Sequence, residues 1–291
     1  DRRGFLDRAQ KFAKAGLGAA GLLAALSPDF ARGQQVPAND ARLRTGRVQI
    51  DSPLGHGTLK GYLCRPGSAP AGARLPSVLV VHENRGVTDY IQNVTRDLAR
   101  EGYVGLAVNL VSRGLGPDYP GGSDEALRAL GKLSDAEAME DLDAGVEFLK
   151  KQSVVFTNSI GCMGFCMGGR FSLLFAEHRK DLKAAVVFYG RTVNAYSPTQ
   201  TTSPLDGVAE IDAPLLGLYG AADAGIPLAD VQKLEEALKT HRKTYDIKIY
   251  PGAKHAFHRE GPNYHEAAAK DSWKRTLDWL AKYMKPAPPK G

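Results

Sequence analysis

Two hydrophobic periods take turns along this chain. Short apolar runs at 78–81, 104–110, 159–163, 184–189 and 215–219, and a β-rich run at 245–250, predict strands, with 78–81 buried. Between them lie segments whose apolar residues recur three and four apart. Ile91, Val94 and Leu98 form one such stripe within 89–100, and Met139, Leu142, Val146 and Leu149 form another. Ser134 followed by Glu137 has the spacing of a capping box, which starts the second helix and carries it to Lys151. Further helices are predicted at 228–240 and 263–283, the last opened by Asn263 with Glu266 as a second capping pair. Segments 47–51 and 59–63 flank the turn-rich Gly55-His56-Gly57 and predict an opening hairpin. Strands alternating with helices imply an α/β chain with a mostly parallel sheet, flanked by helices on both faces. The stretch 192–212 has no strong pattern and is long enough to cover a site as a lid.

The candidate chemistry falls where this alternation predicts strand ends. The run 159–163 leads into Gly164-Phe165-Cys166-Met167-Gly168-Gly169. A strand ending in Gly-x-nucleophile-x-Gly and entering a helix is a nucleophile elbow, whose glycines permit a turn that lifts the central side chain above the sheet. Here that residue is Cys166, and the N-terminus of the following helix favours its reactive thiolate. Taken alone, the same residues describe a small buried cysteine in a Gly-rich turn. Two later residues change that balance. Asp223 lies in a small-residue loop after 215–219, and His255 lies in a Gly-containing loop after 245–250. Nucleophile, acid and histidine, each after a strand, is the chain order of α/β-hydrolases. Such a set attacks an ester carbonyl through sulfur and resolves the thioester with water activated by histidine. Amides suit it poorly, because sulfur leaves the tetrahedral intermediate more readily than an amine.

Four pieces together resemble the dienelactone hydrolase family, the cysteine-nucleophile branch of these hydrolases. They are Val80-Val81-His82-Glu83-Asn84-Arg85-Gly86, the elbow, the Asp223 loop to Pro227, and the His255 loop from Gly252 to Phe257. The resemblance implies an α/β-hydrolase fold and hydrolysis of an ester or lactone bearing a carboxylate, with no cofactor and no metal. It implies that Glu83 contacts the resting thiol and helps to activate it, and that the backbone N–H groups of Asn84 and Met167 form the oxyanion hole. It also implies that Arg113 and Arg259 hold a substrate carboxylate. Asn84-Arg85-Gly86 departs from the aliphatic and aromatic residues of the founding enzymes, which sets Arg85 near the pocket mouth. A general carboxylesterase and a non-catalytic binding module on the same fold are the alternatives. A metal site using His255, His258 and His265 has only weak spacing behind it; His258 and His265 read as polar loop and helix-surface residues.

Composition narrows the partners. The chain has 291 residues, 43% of them hydrophobic, enough for one α/β domain over 34–285. Of the net charge of +6, residues 1–14 supply five basic and two acidic groups, or +3. The remainder is nearly balanced, with no basic run interleaved with aromatics, so nucleic acid is not an expected partner. Arg2-Arg3-Gly4-Phe5-Leu6, a mildly apolar stretch at 13–26 and Ala31-Arg32-Gly33 resemble a twin-arginine export signal over 1–33. That predicts a periplasmic or secreted protein; the alternative is a surface helix on a cytoplasmic one. The apolar stretch is too short and weak for stable membrane insertion. Cys64, Cys162 and Cys166 are odd in number and form no disulfide framework, and Cys162 reads as core. The Pro/Lys tail 286–291 reads as disordered.

Overall fold

In the computed structural model the described residues are 36–54, 57–68, 72–115 and 124–285, with only the backbone of Arg113 and Gly114. The export-signal segment and the tail 286–291 lie outside them. Among the described residues eight strands form one sheet in the order β1-β2-β4-β3-β5-β6-β7-β8. β1 (Leu43–Ser52) and β2 (Gly57–Pro66) are the predicted hairpin, longer at both ends, and β2 meets β4 (Val104–Asn109) antiparallel. From β4 through β3 (Leu75–Val81), β5 (Val155–Phe165), β6 (Ala185–Phe188), β7 (Leu215–Gly220) and β8 (Tyr245–Tyr250), every pairing is parallel. Every residue of β4, β6 and β7 is buried, as continuous apolar runs require when helices cover both faces.

The helices follow the predicted stripes. α1 (Asp89–Arg100) occupies the predicted span and buries Ile91, Val94 and Leu98. Two short helices have no counterpart in the pattern, α2 (Ser112–Leu115) and α3 (Asp124–Leu130). α4 (Asp135–Lys150) begins with the full capping box, the Glu137 N–H donating to Ser134 Oγ and Ser134 N–H to Glu137 Oε2. α5 (Met167–His178) follows the elbow, α6 (Leu228–Thr240) links β7 to β8, and α7 (Glu266–Tyr283) closes the described chain. One expectation fails at α7. Its cap is His265, which accepts from the Ala268 N–H, while Asn263 donates its side-chain amide to the His255 carbonyl at 3.0 Å. The predicted cap thus steadies the histidine loop instead.

The stretch 192–212 is fastened over the elbow helix. Arg170 of α5 is fully buried and donates to both oxygens of Asp135, at 2.6 and 3.0 Å. The same guanidinium donates to the Thr202 carbonyl, and Asp135 accepts from the Thr202 N–H at 2.8 Å. A buried ion pair with these extra bonds is costly to break from one side, so the segment is pinned at Thr202. Among the described residues no helix is long and apolar enough to cross a membrane.

Candidate active site

β5 delivers Cys166 at the sheet's C-terminal edge, and the chain turns at once into α5. Cys166 has φ 57° and ψ −116°, a conformation that side chains rarely adopt and that the surrounding contacts enforce. A Cβ on Gly164 would overlap the carbonyl of Gly168, and one on Gly168 would overlap the carbonyls of Val81 and His82. The two glycines therefore let strand, helix and β3 approach closely enough to make the turn. Met167 is the first residue of α5, so its N–H has no helical acceptor and remains available at the elbow.

Three loops converge on the thiol. His255 Nε2 lies 3.0 Å from Cys166 Sγ, and His255 Nδ1 lies 2.7 Å from Asp223 Oδ2. Asp223 is buried, and its other oxygen accepts from the N–H groups of Gly225 and Ile226 at 2.8 and 3.2 Å. Those bonds fix the carboxylate so that it points one oxygen at the imidazole. Burial disfavours charge on His255, but the hydrogen bonds to Asp223 and Cys166 outweigh it and push its pKa up to about 10. Burial pushes the Cys64 and Cys162 thiols up to about 12, which leaves both inert. Cys162 is a core residue, as expected.

Glu83 follows β3 and faces the same space. Burial raises its pKa, against the opposing charges of Arg259, His255 and Arg85. Arg259 Nε lies 3.2 Å from Glu83 Oε2, so the guanidinium expected to meet a substrate carboxylate meets a protein carboxylate here. Arg85 is about half exposed and lies 3.9 Å from Asp124. For Arg113, on α2, no side chain is described. Asn84, next to Glu83, carries the other N–H expected at the oxyanion hole.

Sequence reasoning missed what holds Glu83. His82 is fully buried; its Nε2 accepts from the Leu110 N–H at 3.0 Å, so Nδ1 carries the proton and donates to the Glu83 carbonyl at 2.5 Å. The ring clips the end of β4 to the loop bearing Glu83. Burial pushes its pKa down to about 4 from 6.5. The unfolded chain takes up a proton below about pH 6.5 and the folded chain does not until about pH 4, so this contribution is present above 6.5 and lost as pH falls. Urea melts should show wild type losing about 1.4 kcal/mol more per pH unit across that window than His82→Gln, which keeps an acceptor for Leu110. Parallel pH profiles for the two proteins would remove His82 from this account.

His258 also differs from expectation. It is not a polar loop residue; its ring packs against Phe165, Phe188 and Trp273, and Nδ1 lies 2.8 Å from Tyr90 Oη. Burial holds its pKa near 4. Among the described residues no group of three or more His, Cys, Asp or Glu side chains is arranged to hold a metal ion. Tyr189, next to β6, packs edge-on against His255 with ring centroids 5.2 Å apart. None of these contacts has a spacing that could be read along the chain.

The model of the dienelactone hydrolase family matches residues 59–284. A Methylorubrum extorquens protein assigned as a carboxymethylenebutenolidase is 39% identical over 268 residues, covering 91% of this chain and 90% of its own. A Bradyrhizobium protein assigned as a 2-oxo-3-(5-oxofuran-2-ylidene)propanoate lactonase is 34% identical over 221 residues, covering 75% of this chain and 87% of its own. Among solved structures, one assigned as a dienelactone hydrolase from Klebsiella pneumoniae superposes with a TM-score of 0.73 at 36% identity, covering 82% of this chain and all of that one. The family match spans β2 through α7 and so takes in the elbow and all three converging loops. By that match and the relatives' identity over most of its length, the chain belongs to the dienelactone hydrolase family, hydrolases built on the α/β-hydrolase fold.

Proposed function

We propose that this hydrolase opens a carboxylate-bearing lactone through a Cys166–His255–Asp223 triad. The observation that carries the reading is the pair of distances about His255, 3.0 Å to the thiol and 2.7 Å to the aspartate. In the first step the Cys166 thiolate adds to the lactone carbonyl carbon. The N–H groups of Asn84 and Met167 stabilise the resulting oxyanion, a role in which one donor is typically worth about 10²–10³ in rate. The ring C–O bond then breaks, and the departing oxygen takes the proton from the His255 imidazolium. In the second step neutral His255 takes a proton from water, whose oxygen attacks the thioester and expels the thiolate. Asp223 keeps the imidazole oriented throughout.

The relatives' assigned names include a butenolide and a lactone, each with an acid group, which supports a charged substrate. A substrate carboxylate would compete with Glu83 for Arg259, since guanidinium binds either carboxylate through the same fork. Glu83, released, would turn toward the thiol, so that binding and activation are linked. Arg113 is assigned to the same substrate carboxylate as Arg259, and Arg85 to the pocket mouth. The Glu83–Arg259 pair itself favours a second reading, in which Arg259 is satisfied by the protein and neutral esters are cleaved equally well.

Kinetics on matched substrates separate the two. Arg259→Ala should raise KM for a carboxylate-bearing lactone by roughly 10- to 150-fold, the worth of one charge-assisted hydrogen bond, and affect a neutral ester much less. Equal effects on both substrates would leave a general carboxylesterase. Glu83→Gln should lower kcat while the protein stays folded; unchanged kinetics would reduce Glu83 to a partner for Arg259.

The N-terminal residues 1–33 are proposed to direct export by the twin-arginine route. A reporter fused behind them should be exported, and changing Arg2 and Arg3 to lysine should stop it; export of the double variant at the original level would rule the signal out.

A further inference from the structure

Two polar contacts tie the segment after β3 to the loop after β8, and they differ in kind. The front one is Glu83 with Arg259 at 3.2 Å, where the arginine side chain is 46% exposed. The other lies behind the nucleophile, where Tyr90 Oη is 2.8 Å from His258 Nδ1. Tyr90 is the second residue of α1, the helix entered from the Glu83 loop, and His258 shares its loop with His255.

Aromatic packing holds both rings of the second contact. Tyr90 lies edge-on to Phe165 with centroids 5.4 Å apart. His258 lies 5.7 Å from Phe165, 5.0 Å from Phe188 and 5.9 Å from Trp273 of α7. Phe165 and Phe188 are completely buried and stack on each other at 4.6 Å. Phe165 directly precedes Cys166, so the cluster takes one side chain from each segment that forms the site: Tyr90, Phe165 and His258. The backbone then passes the position of His258 to His255. Ala256 has φ 61°, and the Arg259 N–H closes a turn on the Ala256 carbonyl at 3.1 Å. A ring fixed at 258 fixes that turn, and with it the imidazole before it and the guanidinium after it. Burial holds the His258 pKa near 4, so the ring stays neutral and its contact with Tyr90 unchanged down to that pH.

The front contact cannot keep the two loops in register through a turnover in which a substrate carboxylate takes Arg259 from Glu83. An exposed ion pair contributes little and exchanges readily. Breaking the hydrogen bond among the rings would instead strand two polar groups. We propose that Tyr90 and His258 are positioning residues for His255: their hydrogen bond keeps the His255 loop in register with the Glu83 loop while substrate exchanges the Glu83–Arg259 contact. The role rests on the reading of Arg259 given above. It accounts for a histidine set among aromatic rings, a place that packing alone would give to an aliphatic side chain. Register matters because His255 has to meet Cys166 and Asp223 at once, and a misplacement of about 1 Å can cost on the order of 10² in rate.

The His255 ring reports its own register, without substrate. Burial disfavours its charge, and the hydrogen bonds to Asp223 and Cys166 outweigh that and hold its pKa at about 10. A ring that drifts from Cys166 therefore titrates lower. The titration is followed by NMR with isotope-labelled histidine in wild type, Arg259→Ala, Tyr90→Phe and the double variant. Arg259→Ala cuts the front contact and serves as the reference, since it carries the change of charge beside Glu83. Adding Tyr90→Phe should lower the His255 titration by about one pH unit, or roughly tenfold in proton affinity, and by much less when Arg259 is intact. In the Arg259→Ala background, two replacements of similar size separate hydrogen bonding from packing. His258→Leu should reproduce the fall, and His258→Asn, whose amide reaches the Nδ1 position, should keep the reference value. A double variant that titrates with Arg259→Ala would overturn the proposal, as would His258→Asn and His258→Leu titrating together. Failure of the carboxylate preference alone would appear in the substrate kinetics and leave these titrations as stated.

Discussion

Replacing Cys166 by alanine should remove lactone and ester hydrolysis, by at least about 10⁴-fold in kcat, because a triad without its nucleophile retains only binding and oxyanion stabilisation. Cys64→Ala and Cys162→Ala should keep kcat near wild type. The contrast follows from placement. Cys64 and Cys162 are fully buried, and burial pushes both thiols up to about 12, whereas Cys166 is partly accessible and touches His255. Intact-mass analysis after a limiting dose of iodoacetamide should therefore find the first adduct on Cys166. First labelling at Cys64 with full activity retained would disprove the assignment. Cys166→Ala should still fold, since the turn is set by its glycine neighbours and not by the sulfur.

Gly164→Ala should cost more stability than any surface change, on the order of 4–5 kcal/mol or more, and yield little folded protein. The added Cβ would fall on the Gly168 carbonyl and against Ser172 Oγ, and the carbonyl belongs to a helix wedged against β3 that cannot withdraw. No rotamer relieves a clash that involves backbone. Gly46→Ala is the internal control. Gly46 lies on β1, where a Cβ would meet nothing within 4 Å, and its replacement should be close to neutral. A thermal melt of each variant decides the matter. Near-equal melting temperatures would mean that the elbow is far more plastic than its contacts imply.

Whatever carries a local spacing can be read along the chain. The stripe Ile91, Val94, Leu98 gives α1 its bounds, and Ser134 with Glu137 marks the start of α4. The elbow glycines and the order of Cys166, Asp223 and His255 bring three distant loops to one point, because parallel strands deliver their following loops to the same edge. What escapes such reading is contact across that edge. Arg259 adjoins Glu260 in the chain, yet its partner is Glu83 at the end of another strand. His82 belongs to the residue types that ligate metals, yet it is spent on a backbone N–H and a backbone carbonyl. Asn263 has the composition of a helix cap, but its amide reaches the His255 carbonyl before the helix begins. Each depends on the packing of two loops, and periodicity is silent about loops that meet only in the folded chain.

The backbone at Cys166 also limits which nucleophiles this scaffold could ever carry. At φ 57° and ψ −116°, a second substituent on Cβ would crowd the main chain, so threonine is closed to the position although its hydroxyl chemistry is serviceable elsewhere. Serine has the same unbranched reach as cysteine and fits the turn. Among hydroxyl nucleophiles the elbow thus admits serine and shuts out threonine, and exchanging the sulfur for the serine oxygen would turn the thioester intermediate into an oxygen ester without rebuilding the turn.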